Sequence, residues 1–434
     1  MSTGIRKWKR DVAIIGTAYT PFGDVLKTPA IKGMTYRELL SWAALEALEN
    51  AGITSKEVDS LLVANYQTEP IKTQSIHAVA AEWLGLTTKP SIKYETACAS
   101  GASGARLACS LIASGIDDVV LLVGGDVLNS VINDDLNEYR KNPADRLPID
   151  PNLQYDFVGN GWDQAYFQPI AFDRVSGLSA FPILAYAQKF GLTVEQLDDA
   201  QNAAAISLRR NAARNPRAYH RKEYKDVAKE AGFNDVMDYM RSTRYNPWVS
   251  WLVRVSHLYS VADGGAALVF CSAEAAKEYA DKPVYVEGVG LAAGFPFTKT
   301  PLNIPSEQSA FKQAYAMASL NPKEIDYLSL HDCFVHQHIT VSEMAGYLAP
   351  GEGWKAIIEG RTAYDGDKPI NTHGGCPSMG NAYDVSGIAE IAEAVQQMRG
   401  ECGDRQIDPE PKVSVTHALG AGPTYGVTVL RRRE

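Results

Sequence analysis

The chain has 434 residues, 45% of them apolar and 21% charged, the profile of a soluble globular protein of two or three domains. A formal net charge of −9 argues against nucleic acid or an anionic membrane as main partner, and the one basic cluster, Arg6 to Arg10, reads as a solvated leader. No apolar run approaches the roughly 20 residues of a membrane span. No signal peptide is legible, and six scattered cysteines (98, 109, 271, 333, 376, 402) form no disulfide framework, so a reducing cytoplasm fits.

Leu39, Ala43, Ala47 and Ala51 recur at helical spacing, then a turn, Lys56-Glu-Val-Asp59 and an apolar strand follow. Cys98 lies in Glu95-Thr-Ala-Cys-Ala-Ser-Gly-Ala-Ser-Gly104; Ser103-Gly104 opens an apolar helix that ends near Gly115, and strand Val119 to Val123 is closed by Gly124-Gly125. From Leu128 to Ser256 the chain turns rich in Asn, Asp, Tyr and Pro, with helical segments such as Phe181 to Arg214. That length reads as an inserted, partly helical subdomain, because a structureless loop of this size is implausible in a compact protein. Strand-like Ala266 to Cys271 resumes the first half.

The pattern then repeats. Ala314 to Leu330 aligns without a gap to Ala47 to Val63, including Lys323-Glu-Ile-Asp326. Ser386-Gly387 opens a helix that ends near Gly400, and strand Val413 to Val415 leads to Leu419-Gly-Ala-Gly422. Two matches in the same order predict a duplicated α/β unit. The expected division is 10–127 with 257–280 for the first half, 128–256 for the insertion, and 281–434 for the second half.

These halves, with Cys98 in Thr-Ala-Cys-Ala-Ser-Gly, resemble the thiolase superfamily. His331-Asp-Cys-Phe334 narrows the resemblance to the sterol-carrier-protein type, and Asp263-Gly-Gly-Ala266, Asn371-Thr-His-Gly-Gly375 and Thr416-His-Ala-Leu-Gly-Ala-Gly422 strengthen it. The resemblance implies a five-layer α-β-α-β-α core, usually dimeric, with a nucleophilic Cys98 at the N-terminus of a buried helix. A helix N-terminus carries about +0.5 charge and free N–H donors, which favour a thiolate. The rival reading makes Cys98 a packed core cysteine.

The resemblance also implies the chemistry: attack of Cys98 on the ketone of a 3-oxoacyl-CoA, carbon–carbon cleavage to an acyl-enzyme, and release by coenzyme A, or the reverse Claisen condensation. Cys333 would protonate the enolate and His331 would bind the thioester oxyanion; packing is the alternative for Cys333. No bound cofactor is expected. A metal held by His331, Cys333, His336 and His338 is disfavoured, since the spacing does not match zinc fingers and a strand-to-helix change would splay the ligands.

One departure stands out. Most thiolases carry Gly-His-Pro-x-Gly-Ala-Thr-Gly, whose His activates the cysteine; here Gly380-Asn-Ala-Tyr-Asp-Val-Ser-Gly387 puts Asn381 in its place. A carboxamide cannot take the proton. The helix N-terminus alone, His373 or His417 could serve instead, with His373 preferred, and Cys376 reads as a packed residue. Thiolase-like aldolases of steroid side-chain breakdown share Asn-Thr-His-Gly-Gly and Gly-x-Ala-Tyr, which would make Tyr383 catalytic in retro-aldol cleavage of a 3-hydroxyacyl-CoA. They generally lack the nucleophilic cysteine, so thiolysis is preferred. A non-catalytic scaffold is the third class.

The missing His suggests a bulky acyl group, as in the thiolase that cleaves 2-benzoylsuccinyl-CoA. Tyr155, Phe157, Trp162, Tyr166 and Phe167 could line its pocket or form the insertion's own core, and Arg174 could pair with a substrate carboxylate or be structural. Relatives of this branch often pair with a small OB-fold protein carrying a zinc ribbon, so such a partner joins the expected homodimer.

Overall fold

The computed structural model describes residues 8–66, 75–128, 174–294, 302–420 and 424–433, with side chains in the helix starting at Arg174 described from Pro182 onward. The insertion's aromatic residues 155–167 and the Arg174 side chain lie outside the described residues.

The first half contains β1 (Val12–Tyr19), α1 (Tyr36–Asn50), β2 (Ser60–Ala64), α2 (Ile76–Trp83), β3 (Ser91–Tyr94), α3 (Ser100–Ser114) and β4 (Val119–Asp126). Helices α4 (Arg174–Phe190) and α5 (Val194–Arg214) follow, then the hairpin of β5 (Trp248–Ser250) and β6 (Val253–Arg254), and β7 (Gly264–Ser272). The second half contains β8 (Val284–Ala293), α6 (Pro305–Ala318), β9 (Tyr327–Leu330), α7 (Gln337–Met344), α8 (Gly375–Ser378), α9 (Asp384–Arg399), β10 (Val413–Gly420) and β11 (Thr424–Arg432).

The large sheet has the order β3-β2-β4-β7-β1-β8-β11-β10-β9. Its halves mirror each other about the antiparallel pair β1–β8, joined at Ala13–Tyr285 and Ile14–Val284. Strand β4 is parallel to β2 and antiparallel to β7, as β10 is to β9 and β11. A parallel bridge from Leu328 to Ile370 stands where β3 stands in the first half.

The repeated motif does the same work twice. Glu57 accepts from Thr54 N–H (2.8 Å) and Glu324 from Asn321 N–H (3.2 Å), closing the turn before each strand. Asp59 then accepts from the N–H groups of Asp118 and Val119 (2.8 and 3.0 Å), and Asp326 from those of Lys412 and Val413 (2.8 and 2.9 Å). Each aspartate thereby sets the register of the neighbouring parallel strand.

Strand alternation sorts the core into layers. Ala13, Ile15, Leu61, Val63, Leu121 and Val123 pack outward against α1 and α2, while Ile14, Leu62, Leu122 and Phe270 pack inward against α3 and α9. On the other half Leu328, Leu330, Val415 and Val427 face outward against α6. The result is the expected α-β-α-β-α section. Its middle layer is tight: a Cβ on Gly101 would come within 2.2 Å of the Gly387 carbonyl, so both helices need glycine there. No helix among the described residues is long and apolar enough to cross a membrane.

Two boundaries differ from expectation. Helix α3 begins at Ser100 rather than Ser103, because Ser100 Oγ accepts from Thr96 N–H and closes the turn earlier. Gly124 and Gly125 do not end their strand; they pair with Ala266 and Gly265 and carry β4 on to Asp126.

Candidate active site

Cys98 sits in a 3₁₀ turn, Ala97–Ala99, between β3 and α3. Small polar residues build that turn: Tyr94 O–H donates to the Ser100 carbonyl (2.9 Å), and the Thr96 and Ser103 hydroxyls share a 2.7 Å bond. Ala97 is held at φ 48°, a conformation that costs on the order of 1–3 kcal/mol and has to be imposed by its surroundings. Its N–H donates to the Glu95 carboxylate. Cys98 is buried, and the positive end of the α3 dipole falls on its turn.

Asn381 occupies the position opposite the thiol, with Oδ1 4.0 Å from Cys98 Sγ. The same oxygen accepts from Tyr383 N–H (3.0 Å) and the Ser386 hydroxyl (2.9 Å), which fixes the amide's orientation. Tyr383 itself takes φ 42° at the start of α9. Its ring packs with Cys98, Leu128, Tyr66 and Tyr259, and its hydroxyl is hydrogen-bonded to that of Tyr259. Burial, then the proximity of Tyr259 and Cys98, pushes the Tyr383 phenol far up, so it is neutral at ordinary pH.

His331 follows β9 and extends its ladder, donating its N–H to the His417 carbonyl (2.9 Å). Its Nδ1 lies 3.1 Å from Glu390 Oε1 and 3.5 Å from Cys376 Sγ, and its ring is hydrogen-bonded to Cys333. Burial alone would lower the His331 pKa; the sulfurs of Cys376, Cys98 and Cys333 outweigh it and raise it well above the ordinary value. Burial raises the Cys333 thiol, and the bond to His331 offsets part of that rise.

Asp332 ties these loops together. It accepts from His338 Nε2 (2.8 Å), Asn371 Nδ2 (2.8 Å) and Cys376 N–H (2.6 Å). Burial alone would raise its pKa; these donors outweigh it and hold the carboxylate below the usual range. A Cβ on Gly375 would strike Asp332 Oδ2 at 2.1 Å, which explains the second glycine of Asn-Thr-His-Gly-Gly. The segment after the insertion is laced through the same loops: Tyr259 N–H donates to Cys333 O, Ser260 N–H to Cys376 O, and Asn381 N–H to Ser260 O.

The structure therefore gathers Cys98, His331, Cys333, Asn381 and Tyr383. One expected histidine, His417, lies elsewhere. His417 points to the outer face of β10, stacked on Phe311 and 2.9 Å from Glu307, whereas its neighbour Ala418 faces Ala99. Alternation along the strand thus turns it away from Cys98. His373 is buried, its Nδ1 without a hydrogen-bond partner among the described residues; burial lowers its pKa, and the charges around it are Glu393, Glu390, Asp332 and Arg405. Among the described residues no hydrogen bond joins it to Cys98.

Of the four residues weighed as metal ligands, His338 is turned to Asp332 while His336 stacks near Phe334, its pKa lowered by burial to about 3. His331, Cys376 and Glu390 instead bring ligand-type atoms within 4.8 Å of one another. These are zinc-ligand types, but the Nδ1–Oε1 contact is already a hydrogen bond, and we assign no ion to them. The sequence reading missed Glu390, Asp332, Asn371 and Tyr259. Glu390, Glu393 and Gln397 do recur at helical spacing in an Ala-rich helix, a polar stripe that could have marked the site.

Residues 12–144 match the family model "Thiolase, N-terminal domain" and residues 298–432 match "Thiolase C-terminal domain-like". The acetyl-CoA acetyltransferase of Methanothermobacter thermautotrophicus is 31% identical over 98% of this chain and 100% of its own length. The benzoylsuccinyl-CoA thiolase subunit BbsB of Thauera aromatica is 26% identical over 96% of each chain. Among solved structures, an Ltp2-ChsH2(DUF35) aldolase has the same fold, with a TM-score of 0.75 at 22% identity over 97% of this chain and 98% of its own. The chain belongs to the thiolase family of acyltransferases. Sterol carrier protein 2 sequences are also among its relatives, and its branch is the sterol-carrier-protein type.

Proposed function

We propose that the chain is an acyl-CoA thiolase that cleaves a 3-oxoacyl-CoA, or forms one in reverse, through an acyl-enzyme on Cys98. The observation that carries this reading is the placement of a buried Cys98 on the turn before α3, with its Sγ 4.0 Å from Asn381 Oδ1, in a fold that also brings His331 and Cys333 together. The Cys98 thiolate attacks the C3 ketone, and the C2–C3 bond breaks to leave an acyl group on sulfur and an enolate thioester. The Cys333 thiol protonates the enolate at C2. Coenzyme A then attacks the acyl group and Cys98 departs as thiolate. Asn381 Oδ1 and the α3 N-terminus orient the nucleophile, while His331 serves the developing negative charge.

The substrate in this reading is bulkier than acetoacetyl-CoA, coenzyme A is the co-substrate, and no resident cofactor is required. Its working form is a homodimer, supported by the sheet edge at β3, unpaired among the described residues, where Ile92 is exposed. Exposed Trp251, Val249 and Val255 around the β5–β6 hairpin support a small protein partner. Copurification with material from the source cell tests that partner.

A second reading, retro-aldol cleavage of a 3-hydroxyacyl-CoA, is favoured by one observation: the Tyr383–Tyr259 hydroxyl pair beside Cys98. Product analysis separates the two. Thiolysis of a 3-oxoacyl-CoA series consumes one coenzyme A per turnover and yields two thioesters. Aldol cleavage releases a carbonyl compound and consumes none, and that outcome would replace the thiolase reading.

A further inference from the structure

The family's activating imidazole is absent, yet the site holds a second one with an unusual backing. Among the buried polar side chains of helix α9, Glu390, Glu393 and Gln397 recur at helical spacing. Glu393 and Gln397 are fully engaged. Glu393 binds Arg405, Tyr19 and Thr372, while Gln397 binds Thr372, the Arg405 carbonyl and Ile407 N–H. Glu390 differs: Oε1 meets His331 Nδ1 at 3.1 Å, and Oε2 is buried without a hydrogen-bond partner among the described residues.

A carboxylate that is 2% exposed with a single neutral partner is costly, whereas pairing with an imidazolium offsets that cost. The bond also fixes the ring. With Nδ1–H donated to Glu390, Nε2 is left as the basic nitrogen. Cys376 Sγ, 3.5 Å from the same Nδ1, is a weaker acceptor than a carboxylate. The other acid nearby, Asp332, is occupied by His338, Asn371 and the Cys376 N–H. The groups bonded to the ring are thus Glu390 from α9, Cys376 from α8 and Cys333 from its own loop, and Cys98 on the turn before α3 is near enough to act on it electrostatically.

We propose that Glu390 is a positioning residue that makes His331 the base for Cys98, replacing the imidazole lost at Asn381. The Cys98 S–H proton passes to His331 Nε2, leaving a thiolate and an imidazolium whose Nδ1–H is held by Glu390. Mechanistically this rests on the thiolase reading above, since it assigns the group that prepares its nucleophile.

The test uses the isosteric Glu390→Gln variant of the full chain, with iodoacetamide as probe and peptide mass spectrometry to follow Cys98 alone among the cysteines. The pH midpoint of Cys98 alkylation moves up by roughly one unit or more when the carboxylate charge is removed. In the same variant kcat falls roughly tenfold to hundredfold with KM little changed. An unchanged midpoint in folded Glu390→Gln overturns the proposal. Should the variant not fold, ¹⁵N shifts of His331 in the wild-type protein decide: a protonated Nδ1 supports the proposal, and an Nε2–H tautomer overturns it. Alkylation needs no substrate. A shifted midpoint without thiolysis sinks the thiolase reading alone, and thiolysis with no shift sinks the role of Glu390 alone.

Discussion

Cys98 Sγ lies 4.0 Å from Asn381 Oδ1, an oxygen already held by the Tyr383 N–H and the Ser386 hydroxyl. An amide in this place orients the thiol without titrating. Asn381→Ala is therefore expected to lower kcat roughly tenfold to hundredfold, through lost hydrogen bonds. The shape of the pH–rate profile should not change. Disappearance of an ionisation limb in that variant would mean that Asn381 takes part in proton transfer.

The tyrosine pair separates the two chemistries. Tyr383→Phe and Tyr259→Phe each remove a hydroxyl and keep the ring packing around Cys98. Thiolysis is expected to survive within about tenfold, while an aldol reaction using a phenol as acid or base would fall by roughly a hundredfold or more. Parallel assays with 3-oxoacyl- and 3-hydroxyacyl-CoA read the difference.

His417 gives the converse case, a motif residue turned the wrong way. His417→Ala is expected to leave kcat within about threefold of wild type while lowering stability by roughly 1–3 kcal/mol, the cost of a buried cavity and an unpaired Glu307. A large loss of kcat at unchanged stability would return His417 to the site.

Behind the site, Glu393 shapes the acid stability. Burial alone would raise its pKa, but Arg405, His373 and Thr372 bring it from an ordinary 4.5 down to about 2. A depressed carboxylate contributes stability above its unfolded value and loses it as pH falls, here from about 4.5 toward about 2. That contribution is about 3 kcal/mol at neutral pH. Asp126 and Asp384 act with the opposite sign: burial raises both, so the stability they hold at low pH is lost as pH rises. Urea unfolding of wild type and Glu393→Gln across pH 2 to 6 isolates the first effect. The difference between them should shrink toward pH 2, and a constant difference would contradict the assignment.

The duplication was legible because it is written in side chains that bond locally. Glu57 and Asp59 recur as Glu324 and Asp326, and each pair closes the same turn and fixes the same strand. Cys98 was legible from the small residues its turn demands. The contact between Glu390 and His331 was not. The polar stripe on α9 is visible in the sequence, but that Glu390 meets His331 depends on how α9 packs against β9, a long-range relation. His373 and His417 drew attention as histidines in glycine-rich loops, but strand alternation turns His417 to the outer face of β10.

The central claim is an acyl-enzyme on Cys98, and intact-protein mass spectrometry measures it directly. After addition of a 3-oxoacyl-CoA without free coenzyme A, the protein should gain the mass of one acyl group, localised to Cys98 and discharged when coenzyme A is added. Turnover of that substrate with no adduct, or full activity in Cys98→Ala, would contradict it.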